Sequence, residues 1–359
     1  MRSHPFLFAR LFTILILLFG TLAACTAVPA TLKATDEPIA ESTVEATNPT
    51  ADTPTTEPTL EPTASVTTSE TGHTLTLVWQ SEFSPEAAVG AGVDVAIDEQ
   101  GFIYVTTANV KKYDPEGKFV TQWGPLGTDE GEFNTPTGIA IGKDGNVYVD
   151  DFRNQRIQKF DSNGNFLLQW TTDPKGAPGS IAVDREGNVY VSLFEGEDHR
   201  IQKFDSHGKL LLTWGDKGSG DGQFAGQIED IAIDQDGNLY VTDSHNHRIQ
   251  KFDSNGNFLA KFGSERSQEG KGQFDDPLGI AVDSQGNIYV VDSHFLQKLD
   301  WQGNFIAQWP RTNDLDLAGF LTLDVEGNIY ILARSNMTST TGDTFNVLFV
   351  KKFHQSNGE

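Results

Sequence analysis

GQFAGQIEDIAIDQDGNLYVTDSHNHRIQKF, at residues 222–252, is the stretch that decides the fold. Within it, apolar triplets at 231–233 and 239–241 flank a Gly-Asn turn, and the segment RIQKF follows at 248–252. Short β-rich runs bounded by Gly, Asn and Asp predict strands joined by tight turns. The chain contains further copies of this pattern, and their number and spacing predict the architecture.

The pattern occurs six times, and each copy carries a tyrosine in its second apolar run. These tyrosines are 41 to 50 residues apart: Tyr104, Tyr148, Tyr190, Tyr240, Tyr289 and Tyr330. Periods of that size are typical of propeller blades or solenoid units. Four β-rich runs per copy predict a four-stranded antiparallel blade. No stretch shows sustained helical periodicity, which excludes a helical solenoid.

Counting strands predicts how the ring closes. The fourth strand of five copies ends in a large aromatic residue: Trp123, Trp170, Trp214, Phe262 and Trp309. The sixth copy lacks this strand, but an unassigned strand, TLTLVWQ, precedes the first copy. We therefore predict that Leu75 to Gln80 pairs with the strand around Val347 to Phe353 and leaves no open edge. The predicted fold at 73–359 is all-β: a six-bladed β-propeller of four-stranded antiparallel blades.

The shared pattern G-x-F-x-x-P-x-G-I-A-V-D-x-x-G-N-x-Y-V-x-D-x-x-N-x-R-I-Q-K-F resembles the NHL repeat. It stands nearly whole at 131–160 and 222–252, and the copy at 272–299 has a shortened third strand. The resemblance covers residues 75 to 353. It implies a propeller but no particular chemistry, because one fold serves many functions.

The first 24 residues are predicted to be a lipoprotein signal peptide. Arg2 and Arg10 give a basic start, and the apolar run at 11–20 is shorter than the roughly 20 residues of a membrane-spanning helix. Leu22-Ala23-Ala24-Cys25 resembles the bacterial lipobox, which implies lipidation of Cys25. Two or three acyl chains give stable anchoring, so we expect an exported, extracytoplasmic protein anchored to the bacterial cell membrane. The alternative is an ordinary signal peptide with a coincidental cysteine.

Composition predicts a stalk and excludes some functions. Residues 25–72 are rich in Thr, Pro and Glu, which predicts a disordered stalk. The formal net charge is −24, from 50 acidic and 26 basic residues, which disfavours nucleic-acid binding. Cys25 is the only cysteine, so an intrachain disulfide and a Cys-based metal site are excluded. We expect a monomer.

The candidate site lies on the loops that join second and third strands. In a propeller these loops share one face with the connections between blades, and we call it the loop face. Binding residues concentrate on such loops over a rigid scaffold. The candidate ligand-binding residues are Asp151, Arg156, His199, Arg200, Asp243, His245, His247, Arg248, Asp292 and His294.

These residues also permit other interpretations. Each Asp could simply pair with the following Arg and bridge loops and blades. The four histidines are placed like the zinc-binding histidines of NHL-like peptide-amidating lyases, and three imidazoles would suit zinc. A histidine before the Arg is also common in NHL repeats without metal, so we assign no metal and no cofactor.

Two further sets of residues have structural predictions. Aspartates that begin the DxxG turns are expected to cap the turn backbone: Asp98, Asp184, Asp234, Asp283 and Asp324. The segment RSNMTSTTGDTFN at 334–346, in the sixth copy, is predicted to be a long loop.

The sequence favours a binding function. It contains no nucleophile elbow, phosphate loop or HExxH motif, and we identify no catalytic residues and no acidic constellation in the channel centre. We predict a surface-displayed binding or scaffold protein that recognises a protein, peptide or glycan through the loop face. The alternative is a metal-dependent lyase or hydrolase at the channel mouth.

Overall fold

The computed structural model describes residues 65–67, 72–83, 93–172, 176–193, 199–263, 271–311, 317–338 and 344–356. The signal peptide, Cys25 and the stalk up to residue 64 lie outside the described residues and remain predictions. Within the described ranges, no helix has the length and apolar character needed to cross a membrane.

Strands follow one another along the chain in groups of four. Two strands precede the first repeat: β1 (Ser65–Thr67) and β2 (Thr74–Phe83). Blade one contains β3 (Val95–Ile97), β4 (Ile103–Thr106), β5 (Val110–Tyr113) and β6 (Phe119–Trp123). Blade two contains β7 (Pro136–Ile141), β8 (Val147–Asp151), β9 (Arg156–Phe160) and β10 (Phe166–Thr171). Blade three contains β11 (Pro178–Val183), β12 (Val189–Leu193), β13 (Ile201–Phe204) and β14 (Leu210–Trp214).

The second half of the chain continues in the same way. A short parallel pair comes first: β15 (Asp216–Lys217) and β16 (Gln223–Phe224). Blade four contains β17 (Ile228–Ile233), β18 (Leu239–Asp243), β19 (Arg248–Phe252) and β20 (Phe258–Phe262). Blade five contains β21 (Ile280–Val282), β22 (Ile288–Val291), β23 (Phe295–Leu299) and β24 (Phe305–Pro310). Blade six takes β25 (Leu317–Leu323), β26 (Ile329–Thr338) and β27 (Thr344–Ser356) from the last repeat. Single 3-10 turns, Phe152–Asn154 and Ser244–Asn246, join the second and third strands of blades two and four.

The blades form a ring around the first strand of each. In blades one to five, the four strands pair antiparallel in chain order. The first strands of neighbouring blades contact one another, from β3 against β7 round to β25 against β3. The predicted all-β, six-bladed propeller is therefore confirmed.

Blade six takes its outer strand from before the first repeat. β2 pairs antiparallel with β27, from Thr74 opposite Ser356 to Phe83 opposite Leu348. The pairing extends beyond the predicted residues, and β1 adds a fifth strand at the edge, within the segment predicted as stalk. That this pairing holds the ring closed stays a prediction.

The segment predicted as a long loop at 334–346 is largely a hairpin. β26 continues to Thr338 and β27 begins at Thr344, and these two residues pair with each other. The loop prediction was wrong because the polar side chains of this segment suggested a turn region. Strand pairing rests on backbone hydrogen bonds, which polar side chains do not prevent.

The core consists of six apolar seams between adjacent blades. In the seam between blades six and one, Tyr330 and Leu332 pack with Val95 and Val105. The other five seams repeat this arrangement with residues of the equivalent strands. The apolar triplets of the sequence are therefore buried between sheets, and a single blade could not bury them alone.

Aromatic residues at the ends of outer strands pack on turn glycines of the next blade. Trp123 of blade one lies against Gly164 of blade two. Trp79 of β2 takes the same place against Gly117 of blade one, and its ring lies edge-on to Tyr330 with centroids 6.0 Å apart. β2 therefore supplies blade six with the aromatic residue that the sixth repeat lacks.

The aspartates of the DxxG turns cap the turn backbone, as predicted. Asp98 Oδ1 accepts hydrogen bonds from the backbone N–H groups of Gln100 and Phe102. The same pair of bonds recurs at Asp184, Asp234, Asp283 and Asp324. These turns are the structural part of the repeat and lie at the opposite ends of the strands from the loop face.

Candidate functional site

Four of the ten candidate residues form two buried ion pairs. Arg156 Nε donates to Asp151 Oδ2 at 2.8 Å, and Arg248 Nε donates to Asp243 Oδ2 at 2.8 Å. All four residues are buried. The geometry matches the structural role that the sequence left open, and ligand binding by these residues stays a prediction.

Each buried arginine also fixes a connection between blades. The Nη atoms of Arg248 donate to the backbone oxygens of Ser219, Gly220 and Gln223, at 3.0, 2.7 and 2.9 Å. Arg156 makes corresponding bonds to the connection before blade two. A planar guanidinium whose N–H groups are engaged in hydrogen bonds in this way has little conformational freedom. The backbone of the loop face is therefore rigid around blades two and four.

Asp292 caps the shortened loop of blade five. Its Oδ1 accepts from the backbone N–H groups of His294 and Phe295 at 2.7 and 2.8 Å, and its Oδ2 accepts from Gln297 Nε2 at 3.0 Å. Burial raises the pKa of Asp292 above its ordinary range. This carboxylate therefore holds its own loop without an arginine partner in the shortened turn.

The histidines separate into two groups, each at a junction between blades. His199 Nδ1 lies 2.9 Å from the backbone oxygen of Gly226, and the ring of His245 packs on the same glycine. His247 and His294 lie at the next junction, beside Asp275. The structure therefore does not bring all four histidines to one centre. Arg200 is half-buried, and the loop residues 194–198 before it lie outside the described residues.

The central channel holds buried carboxylates that the sequence analysis did not identify. Asp94 immediately precedes the first strand of blade one, and Asp230 lies at the equivalent position of blade four. Asp94 Oδ2 accepts from Ile139 N at 3.0 Å, and Asp230 Oδ2 accepts from Ile280 N at 2.9 Å. Each carboxylate thus joins its own blade to the first strand of the following blade. Both residues belong to the first-strand segments that contact one another around the centre of the ring, and the charge of Asp230 helps to raise the pKa of Asp94.

Asp150 adds a third carboxylate from the second strand of blade two. Its Oδ1 accepts from the backbone N–H and the hydroxyl of Thr137, the N–H at 2.9 Å. Its Oδ2 is buried and makes no hydrogen bond of regular geometry within the described residues, although the backbone N–H of Gly138 lowers the pKa of this carboxyl. A buried carboxylate oxygen without a donor is costly in a folded protein. Because this cost must be offset elsewhere in the fold, Asp150 is a candidate functional residue.

Burial shifts the proton affinity of this whole cluster. Burial raises the pKa of Asp150 to about 7 and that of Asp230 to about 6. The pKa of Asp94 is raised well above its ordinary value by burial, followed by the charge of Asp230. Burial, followed by the charges of Asp230 and Asp276, raises the pKa of Glu229 to about 7. Carboxyl groups that exchange protons near neutral pH can serve as acids and as bases.

A signal for this cluster was present in the sequence. The residue before each first apolar triplet is small in three copies, at Gly138, Ser180 and Gly279, but it is an aspartate at 94 and 230. In the second strand, Asp150 stands where blades one and four have Thr106 and Thr242. Aligning the copies and comparing the channel position would have identified all three carboxylates.

Comparison with protein families supports the repeat assignment. The profile of the NHL repeat matches residues 226–252 and 274–294. A profile described as the SMP-30/Gluconolactonase/LRE-like region matches residues 63–215. The predicted NHL repeats are therefore confirmed, within a propeller whose first half is similar to the second family.

Similar proteins come from distant sources. The B-box type zinc finger protein ncl-1 of Caenorhabditis elegans is 42% identical over 48 residues, which are 13% of this chain and 6% of that protein. Virginiamycin B lyase from Staphylococcus aureus has a TM-score of 0.54 at 13% identity, covering 76% of this chain and 98% of its own. A gluconolactonase from Xanthomonas campestris has a TM-score of 0.53 at 14% identity, covering 82% and 95%. Structural similarity at such identities shows the fold alone.

Proposed function

We propose that the protein is an enzyme that opens small cyclic esters at the loop-face end of its central channel. The observation that carries this proposal is Asp150: a fully buried carboxylate whose Oδ2 lacks a hydrogen bond of regular geometry and whose pKa is raised to about 7. Two further buried carboxylates, Asp94 and Asp230, also have raised pKa values. Carboxyl groups with raised pKa values concentrate at functional sites.

The surroundings of the three carboxylates suggest which of them acts as the base and which as the acid. We assign Asp150 as the base, because its Oδ2, which has no hydrogen bond of regular geometry, can take a proton from a water molecule that attacks the acyl carbon. The ring C–O bond then breaks, and the leaving oxygen takes a proton from Asp94, whose raised pKa keeps it protonated. The charge of Asp230, in the opposite blade, favours the protonated form of Asp94. One water is consumed, and the products are a carboxylic acid and an alcohol.

Similarity to known proteins supports this choice of reaction class. A lyase and a gluconolactonase share the propeller fold, and the gluconolactonase-like profile covers blades one to three, which carry Asp94 and Asp150. Those proteins act on small molecules, to judge by their names. A small-molecule site in the channel is also the usual place for a concave pocket in a closed β-structure.

Hydrolysis of a panel of small lactones and aryl esters by the full chain tests this function. We expect turnover of at least one lactone, with a rise in kcat/KM between pH 6 and 7 as Asp150 ionises. Asp150→Asn should lower kcat/KM about 100-fold or more, while Asp144→Asn, an exposed turn residue of the same blade, should leave it unchanged. No turnover across the panel, or full activity of Asp150→Asn, would contradict the proposal.

Ligand recognition by the loop face is the second candidate function. The observation that favours it is the rigidity that Arg156 and Arg248 give to the connections between blades. A preformed surface loses little entropy on binding, which suits recognition of a protein, peptide or glycan. Captured partners on intact cells should be lost when exposed loop-face residues such as His245 and His294 are replaced by alanine.

We further propose that the protein works outside the cytoplasm on a lipid anchor at Cys25. The basic start, the short apolar run and Leu22-Ala23-Ala24-Cys25 support this location. Metabolic labelling with an alkynyl fatty acid should mark the protein, and Cys25→Ser should abolish the label and release the protein from membranes. Labelling that persists in Cys25→Ser would contradict the anchor.

A further inference from the structure

Imidazole and carboxylate groups meet on the loop face where blade four joins blade five. His247 comes from the loop between β18 and β19, and His294 from the loop between β22 and β23. Asp275 and Asp276 come from the connection that links the two blades. Three separate backbone segments therefore place two histidines and two aspartates together.

The ligand-capable atoms lie near the separations of a metal coordination sphere. His294 Nδ1 is 3.3 Å from Asp275 Oδ2. His247 Nδ1 is 3.7 Å from Asp276 Oδ1 and 4.0 Å from Asp275 Oδ1. Tetrahedral zinc with bonds of about 2.0–2.1 Å holds its ligand atoms about 3.3 Å apart. The ligand atoms of His247, Asp275 and Asp276 lie within 4.8 Å of one another. His294, which contacts the group through Asp275, would supply the fourth ligand after its side chain rotates.

Backbone hydrogen bonds hold the segments in position. Ser293 N donates to the backbone oxygen of Asp275 at 2.9 Å, and Arg311 N donates to that of His294 at 2.8 Å. His247 closes its turn by donating its backbone N–H to Ser244 O at 2.9 Å. A site whose ligands stand on fixed backbone needs little reorganisation to bind an ion.

The charge of the cluster favours a cation. The backbone N–H of Asp276 lies 3.4 Å from His247 Nδ1, a long hydrogen bond that a metal ion at this nitrogen would replace. Two carboxylates lie beside the two imidazoles, within a chain of net charge −24. The side chains of His247 and Asp275 are each 25% exposed, which leaves an open side for an ion to enter.

We propose that His247, His294, Asp275 and Asp276 bind one divalent transition-metal ion of the zinc class. Imidazole ligands select zinc and its neighbours, whereas magnesium and calcium prefer all-oxygen sites. The ion clamps blade four to blade five on the loop face. This site is separate from the channel carboxylates, and the proposal does not depend on the function proposed above.

Blade two shows the same backbone without these ligands. Gln155 has a φ of 53°, as His247 has, and Thr135 has a φ of 60° where Asp276 has 52°. Asn134 stands at the position of Asp275. The left-handed backbone is therefore common to both blades, whereas the equivalent positions of blade two carry Gln155, Asn134 and Thr135 in place of the proposed ligands. The residues found in blade two can therefore replace those of blade four and its junction without straining the same backbone conformation.

Zinc binding to the metal-stripped full chain tests the site, by equilibrium dialysis and by the visible spectrum of bound Co²⁺. We expect one ion per chain and a Co²⁺ band typical of mixed nitrogen and oxygen ligands. The variant His247→Gln, Asp275→Asn, Asp276→Thr should lose affinity at least about 100-fold, since altering outer-shell partners alone costs about 10- to 100-fold. His207→Gln, an exposed histidine on a turn of the opposite face, should bind as the unaltered chain does.

A folding readout keeps the result interpretable. Zinc should raise the unfolding temperature of the unaltered chain and of His207→Gln, but not that of the triple variant. If the triple variant does not fold, Asp275→Asn alone replaces it. Absence of stoichiometric binding, or equal binding by the unaltered chain and the junction variant, would overturn the proposal. Lactone hydrolysis is not part of this readout, so failure of the proposed reaction leaves the result intact.

Discussion

The carboxylate of Asp150 lies in the space that a side chain at Gly138 would need. A Cβ at residue 138 would stand 2.5 Å from Asp150 Oδ2. Gly138 occupies the position that holds Asp94 in blade one and Asp230 in blade four. Blade two therefore presents its channel carboxylate from the second strand, and the glycine of the first strand leaves room for it.

Gly138→Ala should destabilise the fold by about 1–3 kcal/mol, because the new methyl group must displace a buried carboxylate. Urea unfolding followed by tryptophan fluorescence measures the change. In an Asp150→Ala background the same substitution should cost clearly less, because the two residues share one space. Equal costs in both backgrounds would show that the Asp150 carboxylate does not occupy that space.

Asp150→Asn should change how stability depends on pH. Burial raises the pKa of Asp150 from an ordinary 3.8 to about 7. The folded state therefore holds this proton more tightly than the unfolded state, and its contribution to stability is lost as pH rises from about 4 to about 7. Relative to the unaltered chain, Asp150→Asn should gain up to about 4 kcal/mol over this interval. Parallel curves for both proteins, from urea unfolding at each pH, would be inconsistent with a raised pKa.

Arg248→Lys should destabilise the protein by about 3 kcal/mol, in the range for a broken buried ion pair. Lysine cannot replace the fork of bonds to Asp243 and to the connection before blade four. Thermal or urea unfolding measures the loss. Arg153→Lys, at an exposed loop position of blade two, is the control and should change stability by less than about 0.5 kcal/mol. A similar small effect for both substitutions would remove the structural role assigned to Arg248.

Removal of β2 should open blade six. A chain that starts at residue 84 lacks Trp79 and Leu75, which cover Gly117 and the seam beside Trp309. We expect a loss on the order of 5 kcal/mol or more relative to a chain that starts at residue 70. Chemical unfolding of the two chains measures it. Equal midpoints would contradict closure of the ring by this strand.

Much of the fold was predictable from sequence because each repeat contains the residues that determine its own strands and turns. The short apolar runs predicted the strands, and Asp98 and its equivalents predicted the turns whose backbone they cap. The hairpin of blade six was missed because its polar side chains gave no strand periodicity, although β26 and β27 pair as far as Thr338 and Thr344.

The candidate site was harder to predict because its members are distant in sequence. Asp94 and Asp230 lie in opposite blades and meet only when the ring forms. The loop-face candidates were more apparent in the sequence, yet Asp151 and Asp243 are buried in ion pairs. Closeness along the chain identified the loop-face candidates. Comparison of equivalent positions between repeats would have identified the channel carboxylates.

The proton affinity of Asp150 is the most direct test of a functional channel. A carboxyl-carbon NMR titration of the intact propeller, assigned by Asp150→Asn, measures the pKa of this residue in place. We expect a midpoint near 7, because burial raises the pKa of this carboxyl. A midpoint near the ordinary 3.8 would contradict the account, because a fully ionised Asp150 would then be a structural group with its charge satisfied.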